Sequence, residues 1–215
     1  MLLQSPNHPN VWIFEHPVIQ DKLTRIRDQK TNHATFRSLL NEIAGLMFFQ
    51  LSRNFKTVET EVQTPIEKTT GQRLADPITL VPILRAGVGM TDGILGMIPE
   101  ARVGHIGLYR DEETKTPVPY YCKLPTDIAS GPVLLIDPML ATGGSASYAA
   151  NVLREHGCDD IQMVCLVASP EGVSRMEKDH PTLKISTPAI DRCLNDQGYI
   201  VPGLGDAGDR IFGTV

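Results

Sequence analysis

Residues 133–145 read VLLIDPMLATGGS, an apolar run that stops at an acid and breaks at once into small residues. Val133 to Ile136 is short and apolar on successive residues, the pattern of a central parallel strand buried on both faces. Asp137 then falls at its carboxyl end. Pro138 has no N–H to give to a ladder and closes the strand, while Thr142-Gly143-Gly144-Ser145 opens a segment, Ala146 to Glu155, that reads as helix and stops at Gly157. Such a junction gathers unpaired backbone N–H groups and the positive end of a helix dipole, and residues without bulk let an anion come close. The stretch reads as a phosphate cradle. An ordinary βα turn uses the same residue types, so TGGS alone does not separate the two; the acid before the loop favours the cradle.

Three more apolar runs of strand length lie at Ile78 to Leu84, Val103 to Tyr109 and Ile161 to Val167. Helical stretches near Val88–Met97, Ala146–Glu155 and Pro170–Lys178 alternate with the strands, which argues a mostly parallel α/β sheet flanked by helices. Ligands of open α/β sheets bind beyond the carboxyl ends of the strands, where the strand order reverses. The residues after each strand are therefore the candidates. LRAGVG (Leu84 to Gly89) brings Arg85 and two glycines, and YRDEETKTPVPYY (Tyr109 to Tyr121) brings Arg110 beside an acidic, Pro-bearing loop. Loop arginines are usually solvated or weakly paired. On one sheet edge with a phosphate cradle, however, two guanidinium groups describe a site for a ligand with phosphates at both ends.

Outside this core, Phe36, Leu39, Leu40, Ile43 and Met47 fall at helical spacing after a capping Asn32, predicting one long amphipathic helix over 32–53. Lys56 to Gln63 alternates Val58, Thr60 and Val62 with charged neighbours, which predicts a half-exposed strand outside the main sheet. The stretch around Pro117, Pro119 and Pro125 reads as a loop or arm. The tail GYIVPGLGDAGDRIFGTV contains GLGDAG (Gly203 to Gly208), a letter-for-letter G-x-G-x-x-G. A dinucleotide fingerprint needs a preceding strand, a following helix and an acid about 20 residues on, yet only seven residues follow Gly208. No segment matches the Walker pattern either. The glycines instead predict an irregular loop that exposes its backbone to a small flat ligand.

Bulk properties narrow the function classes. The 215 residues, 41% hydrophobic, suit one domain: residues 1–75 as N-terminal helix and arm, 76–180 as phosphate-binding core and 181–215 as a hood over the site. A net charge of −5 leaves no broad basic surface for nucleic acid or an anionic membrane. Cys122, Cys158, Cys165 and Cys193 show no C-x-x-C spacing, which suits a reducing, cytoplasmic setting. No apolar stretch approaches the ~18 residues of a membrane span, and MLLQSPNHPN lacks the pattern of a signal peptide. The six histidines, among them His16, His33, His105, His156 and His180, are scattered, so none stands out as a base.

Five motifs in one order, VPILRAGVGMTDGIL, YRDEET with PVPYY, IDPMLATGGSA, LVASPEGV and GYIVPGLGDAGDRIFGT, make the chain resemble the uracil phosphoribosyltransferases over residues 12–215. Other phosphoribosyltransferases usually carry two adjacent acids where this chain has Asp137-Pro138. The resemblance implies a phosphoribosyltransferase-type sheet and transfer of the 5-phosphoribosyl group from phosphoribosyl diphosphate to uracil N1, giving UMP and pyrophosphate. It also implies a division of labour. Thr142, Gly143, Gly144 and Ser145 would hold the 5′-phosphate, Asp137 would accept from ribose hydroxyls, Arg85 and Arg110 would hold the diphosphate, and Pro138, Met139, Leu140, Ala141 and Asp206 would also bind phosphoribosyl diphosphate. Ile200, Gly205, Asp206 and Ala207 would read the base, with Arg110 and Asp206 nearest the chemistry. Mg²⁺ would travel on diphosphate and ribose oxygens. GTP is a candidate activator, and the long helix and arm point to a homodimer or higher homo-oligomer. One departure, Phe49-Gln50-Leu51-Ser52 where the family commonly has Tyr-Glu-Ala-Thr, bears on assembly or regulation more than on chemistry. Two rivals stay open: the same fold acting on another base, and a regulator of the same fold that binds nucleic acid.

Overall fold

The computed structural model describes residues 2–110 and 117–214, the side chain of Arg110 excepted. An antiparallel pair, β1 (Leu2–Gln4) and β2 (Val11–Phe14), precedes two helices, α1 (Pro17–Arg27) and α2 (His33–Leu51), and a hairpin, β3 (Thr57–Gln63) and β4 (Lys68–Leu74). The α/β core runs β5 (Thr79–Leu84), α3 (Val88–Leu95), β6 (Arg102–Val103), β7 (His105–Arg110) and β8 (Pro117–Lys123). It continues through β9 (Val133–Ile136), β10 (Met139–Leu140), α4 (Gly144–Glu155), β11 (Ile161–Val164), β12 (Val167–Ala168), α5 (Pro170–Asp179) and β13 (Lys184–Thr187). The tail adds β14 (Cys193–Leu194), β15 (Ile200–Val201) and a short α6 (Ala207–Phe212).

Among the described residues the main sheet runs β1-β2-β13-β11-β9-β5-β7-β8, with β6 also on β5. Every pair from β2 to β7 is parallel; only the two edges, β1 on β2 and β8 on β7, are antiparallel. β9 lies in the middle and is buried at all four positions, as expected of a strand covered on both faces. Its alternation divides the core. Leu134 and Ile136 pack with α1, α2, α3 and α6 on one face, while Val133 and Leu135 pack with α4 and α5 on the other. Chain order goes from β5 to β7 on one side and then returns to β9 on the other. The order therefore reverses between β5 and β9, and the crevice beyond their carboxyl ends is where this topology puts a ligand.

α2 follows the expected stripe: Phe36, Leu39, Leu40, Ile43, Ala44 and Met47 are all buried, and the Asn32 side chain accepts from the Thr35 N–H at 2.9 Å. The expected strand at Lys56 to Gln63 forms β3 outside the main sheet, exposed along nearly its whole length and paired with β4 as a projecting arm. The Pro-rich stretch departs from the sequence reading. It is β8, an edge strand whose Pro117 lies opposite Arg110 and whose Pro119 lies opposite Leu108; proline is tolerated there because no further strand asks for its missing N–H. The run at Ile161 to Val167 is two strands, β11 on the main sheet and β12 on β10. β1, β2 and β13 extend the sheet beyond β11 and are not among the strands expected from the sequence, although β2, VWIF, is an apolar run as long as β9. Among the described residues no helix is long and apolar enough to cross a membrane.

Candidate active site

β5 and β9 end side by side, and the loop after each opens on the same crevice. After Asp137 the chain does not turn directly into helix. It first runs beside β12, Met139 pairing with Val167 and Leu140 with Ala168, before α4 begins at Gly144. Pro138 and Leu140 face inward: both are buried, the Pro138 carbonyl accepts from the Leu166 and Val167 N–H groups, and the Leu140 carbonyl accepts from the Ser169 N–H at 2.9 Å. Ala141, Thr142, Gly144 and Ser145 are half-buried at the rim of the crevice. The amides of the first turn of α4 have no partner within the helix, and Thr142 accepts the Gly144 N–H at 3.4 Å.

The cradle is braced from behind by the start of α5. Ser169 donates its hydroxyl to the Ala141 carbonyl at 2.6 Å and accepts the Gly172 N–H at 2.9 Å, so one buried side chain caps a helix and holds the loop. Gly143 lies against this brace at φ 74°, where a Cβ would meet the Gly172 carbonyl at 2.8 Å. Left-handed backbone and close approach both require glycine there. At Gly144 a Cβ would meet only Thr142 Oγ1 at 3.6 Å and Pro117 Cδ at 3.8 Å.

A pocket of about 360 Å³ sits over the crevice and joins the sheet edge to the tail: Asp137, Met139 and Ala141 line one wall, and Ile200, Gly205, Asp206, Ala207 and Gly208 line the other. Ala86, Gln197, Gly198 and Tyr199 complete it. The volume suits a small organic ligand. Desolvation in this setting pushes the Asp137 carboxyl up to about 7; the hydrogen bond from the Met139 N–H works against the shift, and the negative charge of Asp206 adds to it. Asp137 therefore wants hydrogen-bond donors or positive charge in front of it. Asp206 caps α6, its Oδ1 accepting the Asp209 N–H at 3.0 Å.

Arg85 follows β5 with its guanidinium exposed, 3.2 Å from Asp209 and 5.9 Å from the ring centroid of Phe212, so it already bridges the sheet edge and α6. Asp209 is held below the usual carboxylate range by the Thr214 hydroxyl first and by Arg85 next. Arg110 ends β7 on the same side of the sheet; its side chain and the acidic loop at 111–116 lie outside the described residues. No histidine lines the pocket. His180 is buried against Ser147, and His16 caps α1, as expected of structural histidines. Among the described residues no three His, Cys, Asp or Glu side chains gather to hold a metal ion. Ser169 and Gly172 were not singled out as site residues. Ser-Pro-Glu-Gly is legible as a helix start, but its contact with the Ala141 carbonyl depends on β12 lying beside β10, a pairing of two residues that leaves no periodicity.

This sheet order with a strand-end cradle is the phosphoribosyltransferase fold. The adenine phosphoribosyltransferase of Trypanosoma brucei shares it at 11% identity, with a TM-score of 0.59 over 96% of this chain and 91% of that one. A much nearer solved relative is the AQ2163 protein from Aquifex aeolicus, which superposes with a TM-score of 0.90 at 36% identity over 94% of this chain and 97% of that one. The sequence pattern of the uracil phosphoribosyltransferase family matches residues 13–214. Proteins named uracil phosphoribosyltransferase from Finegoldia magna and from a Geobacillus species are each 54% identical over 205 residues, covering 95% of this chain and 98% of theirs. The chain belongs to the uracil phosphoribosyltransferase family.

Proposed function

We propose that the protein transfers the 5-phosphoribosyl group from phosphoribosyl diphosphate to uracil, producing UMP and pyrophosphate. The observation that carries this reading is the pocket itself, in which the acid at the end of β9 faces a tail where Gly205, Ala207 and Gly208, with little or no side chain, line the wall beside Ile200 and Asp206. In this reading the first-turn amides of α4 and the Thr142 and Ser145 hydroxyls hold the 5′-phosphate. Asp137, awkward as an isolated carboxylate, gains by accepting hydrogen bonds from the ribose hydroxyls. Arg110 and Arg85 hold the diphosphate, Arg85 exchanging the Asp209 carboxylate for a phosphate.

Displacement at the sugar C1 passes through an oxocarbenium-like state, as in glycoside hydrolysis. Positive charge grows on the ribose while negative charge grows on the diphosphate, so the residues act chiefly by alignment and by stabilising the leaving group. Magnesium, carried by the diphosphate, would neutralise part of the leaving group's charge. Asp137 and Asp206, which repel one another across the pocket, fit a cation arriving on substrate oxygens. The Ile200 carbonyl would accept from uracil N3–H, and amides around Gly205 and Ala207 would donate to its carbonyl oxygens.

Self-association as a homodimer or larger assembly is supported by the projecting arm and by an open apolar groove of about 630 Å³ between α2 and α3, rimmed by the exposed side chains of Phe49, Met97 and Val18. Four free cysteines suit a reducing, cytoplasmic setting. GTP is proposed as an activator on the resemblance alone. The test is UMP formation from uracil and phosphoribosyl diphosphate, with and without Mg²⁺ and with and without GTP. Turnover that requires both substrates and Mg²⁺ supports the proposal, and no turnover under any of these conditions removes it.

A further inference from the structure

The tail that would read the base runs from the two-residue β15, which holds Ile200, through irregular backbone at 202–206 to the start of α6 at Ala207, and a reader built from backbone works only if that backbone is fixed. Two side chains far apart in sequence fix it. Arg27, the last residue of α1, forms a two-pronged pair with Asp191, Nη1 to Oδ2 at 2.7 Å and Nη2 to Oδ1 at 2.8 Å. The same Nη1 donates to the Gly203 carbonyl at 2.7 Å, and Asp191 Oδ2 accepts the Gly203 N–H at 2.8 Å. Both backbone polar groups of one residue are thus held by one ion pair. The Asp191 side chain is only 7% exposed, so the hydrogen bonds work in a shielded setting where they are strong and where a lost partner is costly.

Gly203 is also the residue through which the loop's geometry is passed on. It lies at φ 60°, and a Cβ there would come within 2.1 Å of the Ile200 carbonyl oxygen, so its Cα packs directly under the group proposed to accept from the base. The next carbonyl, of Leu204, is taken from behind by Arg210 Nη1 at 2.8 Å, and Arg210 Nη2 reaches back to the Asp28 carbonyl at 2.7 Å. At its other end Asp191 is tied to β12, its N–H donating to the Ala168 carbonyl at 2.8 Å one residue before the cradle brace at Ser169. Neither Arg27 nor Asp191 lines the pocket.

We propose that Arg27 and Asp191 are positioning residues for base recognition, a clamp on Gly203 that sets the Ile200 carbonyl and the Gly205 and Ala207 amides in the geometry the base requires. This rests on the function proposed above. Because the clamp acts on the base wall and not on the cradle, its loss separates the two substrates. In Arg27→Lys, which keeps the charge but loses the two-pronged geometry, and in Asp191→Asn, the KM for uracil should rise roughly 10- to 100-fold. The KM for phosphoribosyl diphosphate should stay within about twofold of wild type, and preference for uracil over cytosine should fall.

Steady-state kinetics of both variants beside wild type, with hydrogen exchange of the two regions, tests this. Faster exchange confined to residues 203–207, with residues 142–146 unchanged, accompanies the kinetic split if the clamp acts as proposed. An unchanged uracil KM in folded variants, or equal increases in both KM values with faster exchange throughout, overturns it. Wild type that shows no turnover with uracil removes the function proposed above. The exchange pattern then decides whether the clamp holds the loop at all, and an unchanged pattern at 203–207 overturns it on its own.

Discussion

Asp137 is the residue on which stability and the proposed function pull in opposite directions. Its carboxyl titrates near 7 because burial and Asp206 disfavour the charge, whereas in the unfolded chain it titrates near its ordinary 3.8. Well below pH 3.8 both states hold the proton and the fold loses nothing. As pH rises towards 7 the unfolded chain releases its proton first, so a penalty grows and is complete above about 7. Asp137→Asn should therefore stabilise the substrate-free protein at pH 8 by on the order of 2–4 kcal/mol and by much less at pH 4, while weakening phosphoribosyl diphosphate binding. Denaturant melts at the two pH values check it, and equal effects at both would contradict the electrostatic explanation. The neighbouring glycines should part company. Gly143→Ala forces a left-handed alanine against the Gly172 carbonyl, costing about 1–2 kcal/mol in backbone strain before the clash is counted. At Gly144 a Cβ meets only side-chain atoms, at 3.6 Å or more, so Gly144→Val should keep its melting temperature while losing affinity for phosphoribosyl diphosphate. If both melt alike, the cradle is not braced as described.

At the scale of elements, sequence pattern carries far where an element is regular and fails where two short pieces meet. β9 and α2 were legible because a strand buried on both faces must be apolar throughout and a long helix against the sheet must repeat its apolar face. β8 was not, because Pro117 and Pro119 speak against a strand until it is known to be an edge. β10 and β12 were invisible: two residues each have no period, and only their pairing brings Ser169 to the Ala141 carbonyl. The candidate site shows the same division. Asp137, the TGGS turn and the GLGDAG loop stand out by composition, whereas the Asp209 partner of Arg85 and the Arg27 and Asp191 clamp depend on contacts between residues more than a hundred positions apart. The hidden brace can be tested by Ser169→Ala, which removes the cap of α5 and the support of the loop together. It should destabilise the fold by about 1–2 kcal/mol and raise the KM for phosphoribosyl diphosphate without moving that for uracil. A melting curve and two KM values suffice, and a rise confined to uracil would contradict this division of the site.

Across the whole molecule, the cradle belongs to the sheet and the proposed base wall to the tail, so under the proposed function substrate choice would depend on a fold that holds a short loop against strand ends. The outer face of α2 is the part this division leaves unused. Phe49, 67% exposed, stands at the departure from the family's common pattern and rims the apolar groove. Phe49→Glu should shift wild-type dimers or larger species towards monomer in sedimentation, and a wild type that sediments as monomer contradicts self-association. Base choice tests the account most directly. Backbone donors and acceptors cannot exchange roles, so cytosine, with an acceptor at N3 and an amino group at C4, would leave the Ile200 carbonyl and a loop amide facing like partners. The measurement is kcat/KM for uracil, cytosine and hypoxanthine with phosphoribosyl diphosphate and Mg²⁺. A preference for uracil over cytosine approaching 10⁴, the order of discrimination expected when buried polar groups go unpaired, is the result predicted; cytosine or hypoxanthine used within about tenfold of uracil would contradict a base read by this loop.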